Sequence, residues 1–227
     1  MESILYHGSN HTIEQPLYGL GKTTNDYGRG FYCTRELELA KEWGCAGGLD
    51  GFANEYVLER ADELSVLRLN EEPYNILNWL AILAEHRTYW QRGSVSAQAK
   101  RYLHDNFLVD TSGYDVIVGY RANDSYFSFA QAFVANGISL RQLSQAMRLG
   151  RLGEQVVLMS REAFEHLQFR RSIPAPGEIY FAKKTERDQA ARREYRRLTQ
   201  ETNLADDIFM LDIMREGMRS DDPRLRG

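Results

Sequence analysis

The sequence has few cysteines, no excess of basic residues and no hydrophobic run long enough to cross a membrane. Its two cysteines, Cys33 and Cys45, form no CxxC pair, so a zinc site has little support and we expect both thiols to be reduced. A membrane-spanning helix needs about 20 apolar residues, and the amino-terminal MESILYHGS has neither the basic start nor the apolar core of a signal peptide. We therefore expect a cytoplasmic protein without a membrane partner.

Acidic residues slightly outnumber basic residues: 32 Asp and Glu against 28 Lys and Arg give a net charge of −4. Bulk charge therefore does not indicate a nucleic-acid binder, although a local basic patch is compatible with this balance. Hydrophobic residues make up 43% of the 227 residues, which is enough for a folded core and too many for a disordered chain. The length fits one large domain or one domain with an appendage.

The predicted strands and helices are interspersed without the regular spacing of β-α-β units. This order favours an α+β fold, with a mixed sheet and helical insertions, over a doubly wound parallel sheet. The predicted strands cover 3–6, 31–34, 54–58, 65–69, 115–119, 154–159 and 178–182, and the predicted helices cover 36–43, a stretch that opens at Pro73, 94–107, 125–134, 139–149 and 161–166.

The character of the chain changes at residue 183. Residues 183–197 carry seven basic and three acidic residues, and 206–218 form a short amphipathic segment. We therefore predict one domain over 1–182 and a charged helical tail over 183–227. The tail is interpreted either as a solvated helix or as a segment that covers a site, binds an antitoxin or contacts nucleic acid.

Two familiar motifs are only partly matched. The segment GLGKT at 19–23 lacks the first glycine of a phosphate-binding loop, because Pro16 occupies that position, and no strand precedes it. His7 and His11 are four residues apart, but the chain has no HExxH helix around them. We therefore expect neither nucleotide hydrolysis nor a metal site.

Three separated pieces of the chain together indicate one site. A predicted strand ends at His7-Gly8-Ser9, a second strand follows in GRGFYCT at 28–34, and a third opens at Glu154. Each motif taken alone also has an ordinary structural interpretation: a buried histidine, a core tyrosine and a solvated glutamate. Their order, spacing and flanking residues favour a shared ligand site.

These pieces resemble the motifs of the His-Tyr-Glu ADP-ribosyltransferases, the group that includes poly(ADP-ribose) polymerases and diphtheria toxin. LYHGS at 5–9 is similar to the polymerase strand that ends in His-Gly-Ser, and GRGFYCT is similar to Gly-Lys-Gly-Ile-Tyr-Phe-Ala. A second ring follows eleven residues after Tyr32, at Trp43, and GEQVVL at 153–158 resembles the late glutamate strand. The resemblance covers about 3–182 and implies an ADP-ribosyltransferase-like split sheet, mixed or antiparallel.

The resemblance assigns the first motif to the cofactor substrate, NAD. His7 would hydrogen-bond the adenosine-side ribose and act as one of the catalytic residues. Gly8 would let the backbone approach the nicotinamide carboxamide, and Ser9 would support the nicotinamide end.

The other two motifs are assigned to the scissile bond. Tyr32 and Trp43 would clamp the cationic nicotinamide between two rings. Glu154 would bond the 2′-hydroxyl of the reacting ribose, and its charge would stabilise an oxocarbenium-like transition state. Tyr32 and Glu154 complete the predicted catalytic set.

Several positions keep two interpretations. Glu154 and Gln155 point to opposite faces of a strand, so a shift of one residue would place Gln155 in the site. Arg121 either pairs with the NAD pyrophosphate or belongs to a capped helix start. Arg148 and Arg151 either contact a phosphate-bearing acceptor or form a solvated helix end.

The expected function is a mono-ADP-ribosyltransferase that uses NAD, needs no metal and modifies a macromolecular acceptor, protein or nucleic acid. The wider pattern, DVIVG at 115–119 before RAND at 121–124, is similar to a bacterial family of uncharacterised proteins. Many of them are suspected toxins of toxin–antitoxin or phage-defence loci, so a cognate antitoxin is a further expectation. The alternatives are an NAD glycohydrolase and an inactive module that binds NAD or a partner.

Overall fold

The computed structural model describes residues 2–88, 93–122, 124–149, 153–201 and 204–225. Within these residues the fold is a mixed α/β arrangement of eight α-helices and seven strands. The strands are β1 (Ser3–Ser9), β2 (Phe31–Cys33), β3 (Gly51–Leu58), β4 (Val66–Arg68), β5 (Val116–Gly119), β6 (Gln155–Leu158) and β7 (Leu167–Ala175). The helices are α1 (Leu37–Gly44), α2 (Ile76–His86), α3 (Ser94–Phe107), α4 (Asp124–Val134), α5 (Leu140–Ala146), α6 (Arg161–Glu165), α7 (Gly177–Gln200) and α8 (Met210–Glu216).

The strands form two open sheets. One is antiparallel with the order β1-β3-β7, and the other is mixed with the order β2-β6-β5-β4, in which only β4 and β5 run parallel. A bridge between Tyr6 and Thr34 joins β1 to the end of β2. This join brings the first two sequence motifs to the same place.

The mixed sheet is buried on both faces, and its strands read accordingly as continuous apolar runs. On one face, Val156 and Leu158 pack in a cluster with Leu5 and Tyr56 of the antiparallel sheet. On the other face, Val157 packs against the helical core. Because side chains alternate along a strand, Gln155 lies on the same face as Val157.

Strand β7 and helix α7 differ from the prediction. Residues 178–182, predicted as a strand, form the first turns of α7, and the strand lies earlier, at Leu167–Ala175. The physical reason is that β7 is an edge strand: it contains Pro174 and exposed arginines, which its unpaired edge tolerates but which weaken the alternating pattern. The predicted boundary between 182 and 183 falls inside the continuous helix α7.

None of the helices in the described ranges combines the length and the apolar character needed to cross a bilayer.

Candidate active site

A cleft of about 1080 Å³ opens where the two sheets meet. We call its strand side the sheet wall, which includes His7, Tyr32 and Gln155. Another side of the cleft, which we call the helix wall, is one face of α7. It is formed by Phe181, Lys184, Thr185, Asp188 and Arg192. Loop residues between His11 and Asp26 close a third side.

His7 lies in the sheet wall with a defined orientation. Its ring stacks on Phe31, with 4.3 Å between centroids, and its Nδ1 lies 2.7 Å from the backbone oxygen of Tyr32. A carbonyl oxygen only accepts, so Nδ1 carries the proton and Nε2 of the neutral ring is an acceptor. Burial lowers the pKa of His7 and outweighs the opposing hydrogen bond, so the ring is neutral at pH 7.

Tyr32 closes the turn that precedes β2. Its hydroxyl donates to the backbone oxygen of Gly28 at 2.6 Å and accepts from the backbone N–H of Tyr27 at 3.1 Å. Burial raises the pKa of the phenol, which stays protonated at neutral pH. Since the hydroxyl already bonds two backbone groups, Tyr32 offers a ligand mainly its ring.

The third motif places an amide in the cleft, not a carboxylate. Gln155 pairs with Gly119, lines the cleft and is 5% exposed. Its buried Oε1 finds no hydrogen-bond partner in the described part of the chain. A buried carbonyl oxygen without a donor is costly, which marks Gln155 as a position where a ligand donor is expected.

Glu154 lies on the other side of the strand start. Its carboxylate accepts a hydrogen bond from Arg35 at 2.8 Å and another from the Asn70 side chain, and it is 40% exposed. It is not among the described residues that line the cleft. Of the two positions left open by the sequence, Gln155 lines the cleft, because the register of β6 with β2 and β5 turns it inward.

Arg121 and Trp43 form a pair at the back of the cleft. The guanidinium carbon of Arg121 lies 3.5 Å from the Trp43 ring centroid, and Arg121 lines the cleft. Trp43 instead borders a small adjoining void and is not among the described cleft residues. Trp43 thus orients Arg121 by a cation–π contact, whereas the prediction had it facing Tyr32 across a nicotinamide.

Gly8 and Ser9 build the frame of the site. A Cβ added to Gly8 would lie 2.1 Å from the backbone oxygen of Ala40, so the glycine is required by the close approach of α1 to β1. Ser9 Oγ accepts from the Asn54 side chain at 3.1 Å. Neither Gly8 nor Ser9 is found among the described lining residues, and their contacts with NAD stay a prediction.

Two buried polar residues of the site were missed by the sequence analysis. Asn54, fully buried, donates to the backbone oxygen of His11 at 3.2 Å and accepts from the N–H of Ile13 at 3.2 Å, which fixes the loop after β1. An asparagine at an inward position of an apolar strand was the available signal. Asp26, in an irregular loop, gave none.

Asp26 anchors the segment next to Arg121. It accepts hydrogen bonds from Arg87 at 2.8 Å and from the backbone N–H of Ala122 at 2.9 Å. Burial raises the pKa of Asp26, and the neighbouring Arg87 opposes that rise. Both side chains line the cleft.

The cleft is cationic. The described residues that line it include five basic and two acidic side chains. Such a surplus of positive charge suits a ligand with phosphate groups. The basic residues are Lys22, Arg87, Arg121, Lys184 and Arg192, and the acidic ones are Asp26 and Asp188.

Of the two arginines predicted to bind the acceptor, one lies away from the described cleft residues and the other is outside the described part of the chain. Arg148 is exposed in the turn after α5 and is not among the described cleft residues. Arg151 lies outside the described residues. No group of three or more His, Cys, Asp or Glu side chains that could hold a metal is found in the described ranges.

A comparison with protein families gives a match over most of the chain. The model of a family described as "Protein of unknown function (DUF3990)" matches residues 3–169. No curated protein and no solved structure matches the chain. The matched segment contains the whole sheet wall, and α7 with the helix wall follows it.

Proposed function

This chain belongs to the DUF3990 family of proteins of unknown function, and from its own cleft we propose that it is a mono-ADP-ribosyltransferase that uses NAD. One observation carries the proposal: the resembling motifs, far apart in sequence, place His7, Tyr32 and Gln155 in a single cleft together with Arg121. The proposal also rests on the likeness of those motifs to the His-Tyr-Glu transferases.

The chemistry of the cleft fits the parts of NAD. A volume of about 1080 Å³ is at the upper end of small-molecule sites and accommodates a dinucleotide. Nε2 of neutral His7 accepts from a ribose hydroxyl, and the ring of Tyr32 stacks on the cationic nicotinamide. Arg121, oriented by Trp43, pairs with the pyrophosphate.

The reaction breaks the bond between ribose C1′ and the nicotinamide nitrogen. The bonding electron pair moves to the pyridinium, so nicotinamide leaves neutral. The nucleophile of the acceptor forms a new bond to C1′ and releases its proton to water. The sugar becomes oxocarbenium-like in between. Gln155 Oε1, buried and in need of a donor, accepts from the 2′-hydroxyl, and the negative end of its dipole faces the developing positive charge.

The acceptor in this proposal is a macromolecule, because the rim of the cleft exposes apolar side chains. Leu17 is 59% exposed and Leu20 is 74% exposed, although both line the cleft. Exposed apolar side chains grouped beside a cleft are typical of surfaces that contact another macromolecule.

A second candidate function follows from the neutral amide of Gln155. Glutamine supplies no full negative charge to the transition state, so a module that binds NAD without turnover fits the same cleft. Saturable NAD binding without nicotinamide release supports this candidate over the transferase.

The test is incubation of the protein with adenylate-labelled NAD and cell lysate. The transferase yields a labelled macromolecule, a glycohydrolase yields only free ADP-ribose, and the binding module leaves NAD intact. We expect Gln155→Ala to lower turnover by roughly 10²-fold, whereas the matched control Glu154→Gln stays within about twofold of wild type. The proposal fails if NAD neither binds nor reacts, or if the control loses activity and Gln155→Ala keeps it.

A further inference from the structure

Helix α7 lines the cleft although it lies beyond the segment matched by the family model. Its lining residues recur at intervals of three and four, as expected for one helical face. They are Phe181, Lys184, Thr185, Asp188 and Arg192. The helix therefore contributes side chains to the site that the family motifs do not contain.

The helix is held firmly in this position. Arg187 donates two hydrogen bonds to Glu42, at 2.7 and 3.0 Å, and Glu42 is only 2% exposed. The Tyr195 ring stacks on Phe129 with 3.9 Å between centroids. A helix with a buried ion pair and a stacked ring is part of the folded core, not a solvated tail, so its inward side chains have fixed places.

Lys184 is a cation on this face, one helical turn before Asp188. It is half-buried, and it forms no hydrogen bond or ion pair within the ranges that the structure describes. Its neighbour Lys183, in contrast, is exposed and donates to Glu38 at 3.0 Å. A lysine that lines a cleft without an anionic partner leaves its positive charge available, so the position favours an anionic ligand group.

Lys184 and Arg121, from different parts of the chain, line the same two spaces. Both line the cleft, and both border the small void beside the Trp43 ring. Arg121 is kept in place by its contact with that ring. A guanidinium and an ammonium that face one space form a paired cationic site, in which the first supplies a planar fork and the second a point charge.

We propose that Lys184 and Arg121 form a pyrophosphate subsite in which helix α7 provides the second cation. The inference rests on the proposed function for its choice of ligand, a dinucleotide whose two linked phosphates span the two cations. Lys184 contacts the ligand directly, so α7 takes part in substrate binding.

The experiment is calorimetric titration of three probes: ADP-ribose, inorganic pyrophosphate and adenosine. The proteins are wild type, Lys184→Met, the charge-preserving Lys184→Arg and the matched control Lys183→Met. We expect Lys184→Met to weaken the binding of ADP-ribose and of pyrophosphate by roughly 10- to 100-fold and to leave the binding of adenosine unchanged. Lys184→Arg should recover most of the affinity, and Lys183→Met should bind as wild type does.

The outcomes separate the subsite from the transferase proposal. The subsite proposal is overturned if wild type does not bind pyrophosphate or if Lys184→Met binds pyrophosphate as tightly as Lys183→Met does. It is also overturned if Lys184→Met weakens the binding of adenosine as much as the binding of ADP-ribose. If pyrophosphate binding depends on Lys184 but the protein does not cleave NAD, the subsite is supported and only the transferase proposal is rejected. If Lys184→Met cleaves NAD as wild type does, only the subsite proposal is rejected.

Discussion

The two walls of the cleft differ in chemistry and in what holds them. The sheet wall offers neutral groups, the imidazole of His7, the ring of Tyr32 and the amide of Gln155, all placed by strand register. The helix wall offers charged groups such as Lys184, placed by the ion pair of Arg187 with Glu42 and the ring stack of Tyr195 on Phe129. In the proposed function, the sheet wall orients the ligand and the helix wall attracts its negative charge.

The two walls therefore depend on the rest of the fold in different ways. A strand residue is fixed by backbone hydrogen bonds, which most side-chain substitutions leave intact. A residue on α7 is fixed by a few side-chain contacts, so single substitutions at residues that do not line the cleft should disturb the helix wall first.

The largest effect is expected for Arg187→Met. It leaves the carboxylate of Glu42, 2% exposed, buried without this partner, which should lower the free energy of unfolding by about 3–5 kcal/mol. The control is Arg197→Met, whose side chain is 75% exposed and pairs with Glu194, with an expected change below about 1 kcal/mol. Urea unfolding measures both, and equal stabilities would contradict the anchoring of the helix wall by this pair.

For the sheet wall, Gly8→Ala should cost about 3 kcal/mol, near the upper end for overpacking. The new Cβ meets backbone atoms of α1, including the oxygen of Ala40 at 2.1 Å, and backbone cannot move aside as a flexible side chain can. Gly113→Ala is the matched control, since a Cβ there meets nothing within 4 Å. Thermal and urea unfolding that show the same small loss for both would refute the close packing of α1 on β1.

A pH titration tests whether His7 in the sheet wall is neutral. Burial lowers the pKa of His7 below its ordinary 6.5, so the folded protein binds this proton less readily than the unfolded chain. The stability linked to His7 is therefore fully present above pH 6.5 and is lost as pH falls from 6.5 through the folded pKa. An NMR titration of the His7 ring should give a midpoint below 6.5, and a midpoint above that value would contradict its burial.

The smallest effect is expected for Glu154→Gln. Both partners of its ion pair with Arg35 are about 40% exposed, so the loss of stability should stay below about 1 kcal/mol. Chemical denaturation of Glu154→Gln beside Arg35→Gln tests this. A loss several times larger would show that the pair, although exposed, has a structural role.

The sheet wall was largely accessible from the sequence. The motifs around His7 and Tyr32 are local, and each ends or opens a strand, so their meeting in one site could be inferred from the resemblance. The face taken by Glu154 and Gln155 could not, because one residue of register reverses it and the register is set by β2 and β5, strands distant in sequence.

The helix wall was not accessible in the same way. A helix with alternating charges has the same sequence pattern whether it is solvated or has one face against a cleft. What distinguishes α7 is the buried partner of Arg187, Glu42, whose burial depends on tertiary packing. The segment 178–182 was predicted as a strand from its apolar and aromatic residues, which tertiary contacts place in a helix instead.

The most direct test of the account is a crystal structure of the protein soaked with NAD or ADP-ribose. We expect ligand density in the cleft, with a ribose at His7 and Gln155 and the pyrophosphate between Arg121 and Lys184. Ligand bound at a different surface, or an empty cleft at saturating concentration, would contradict it.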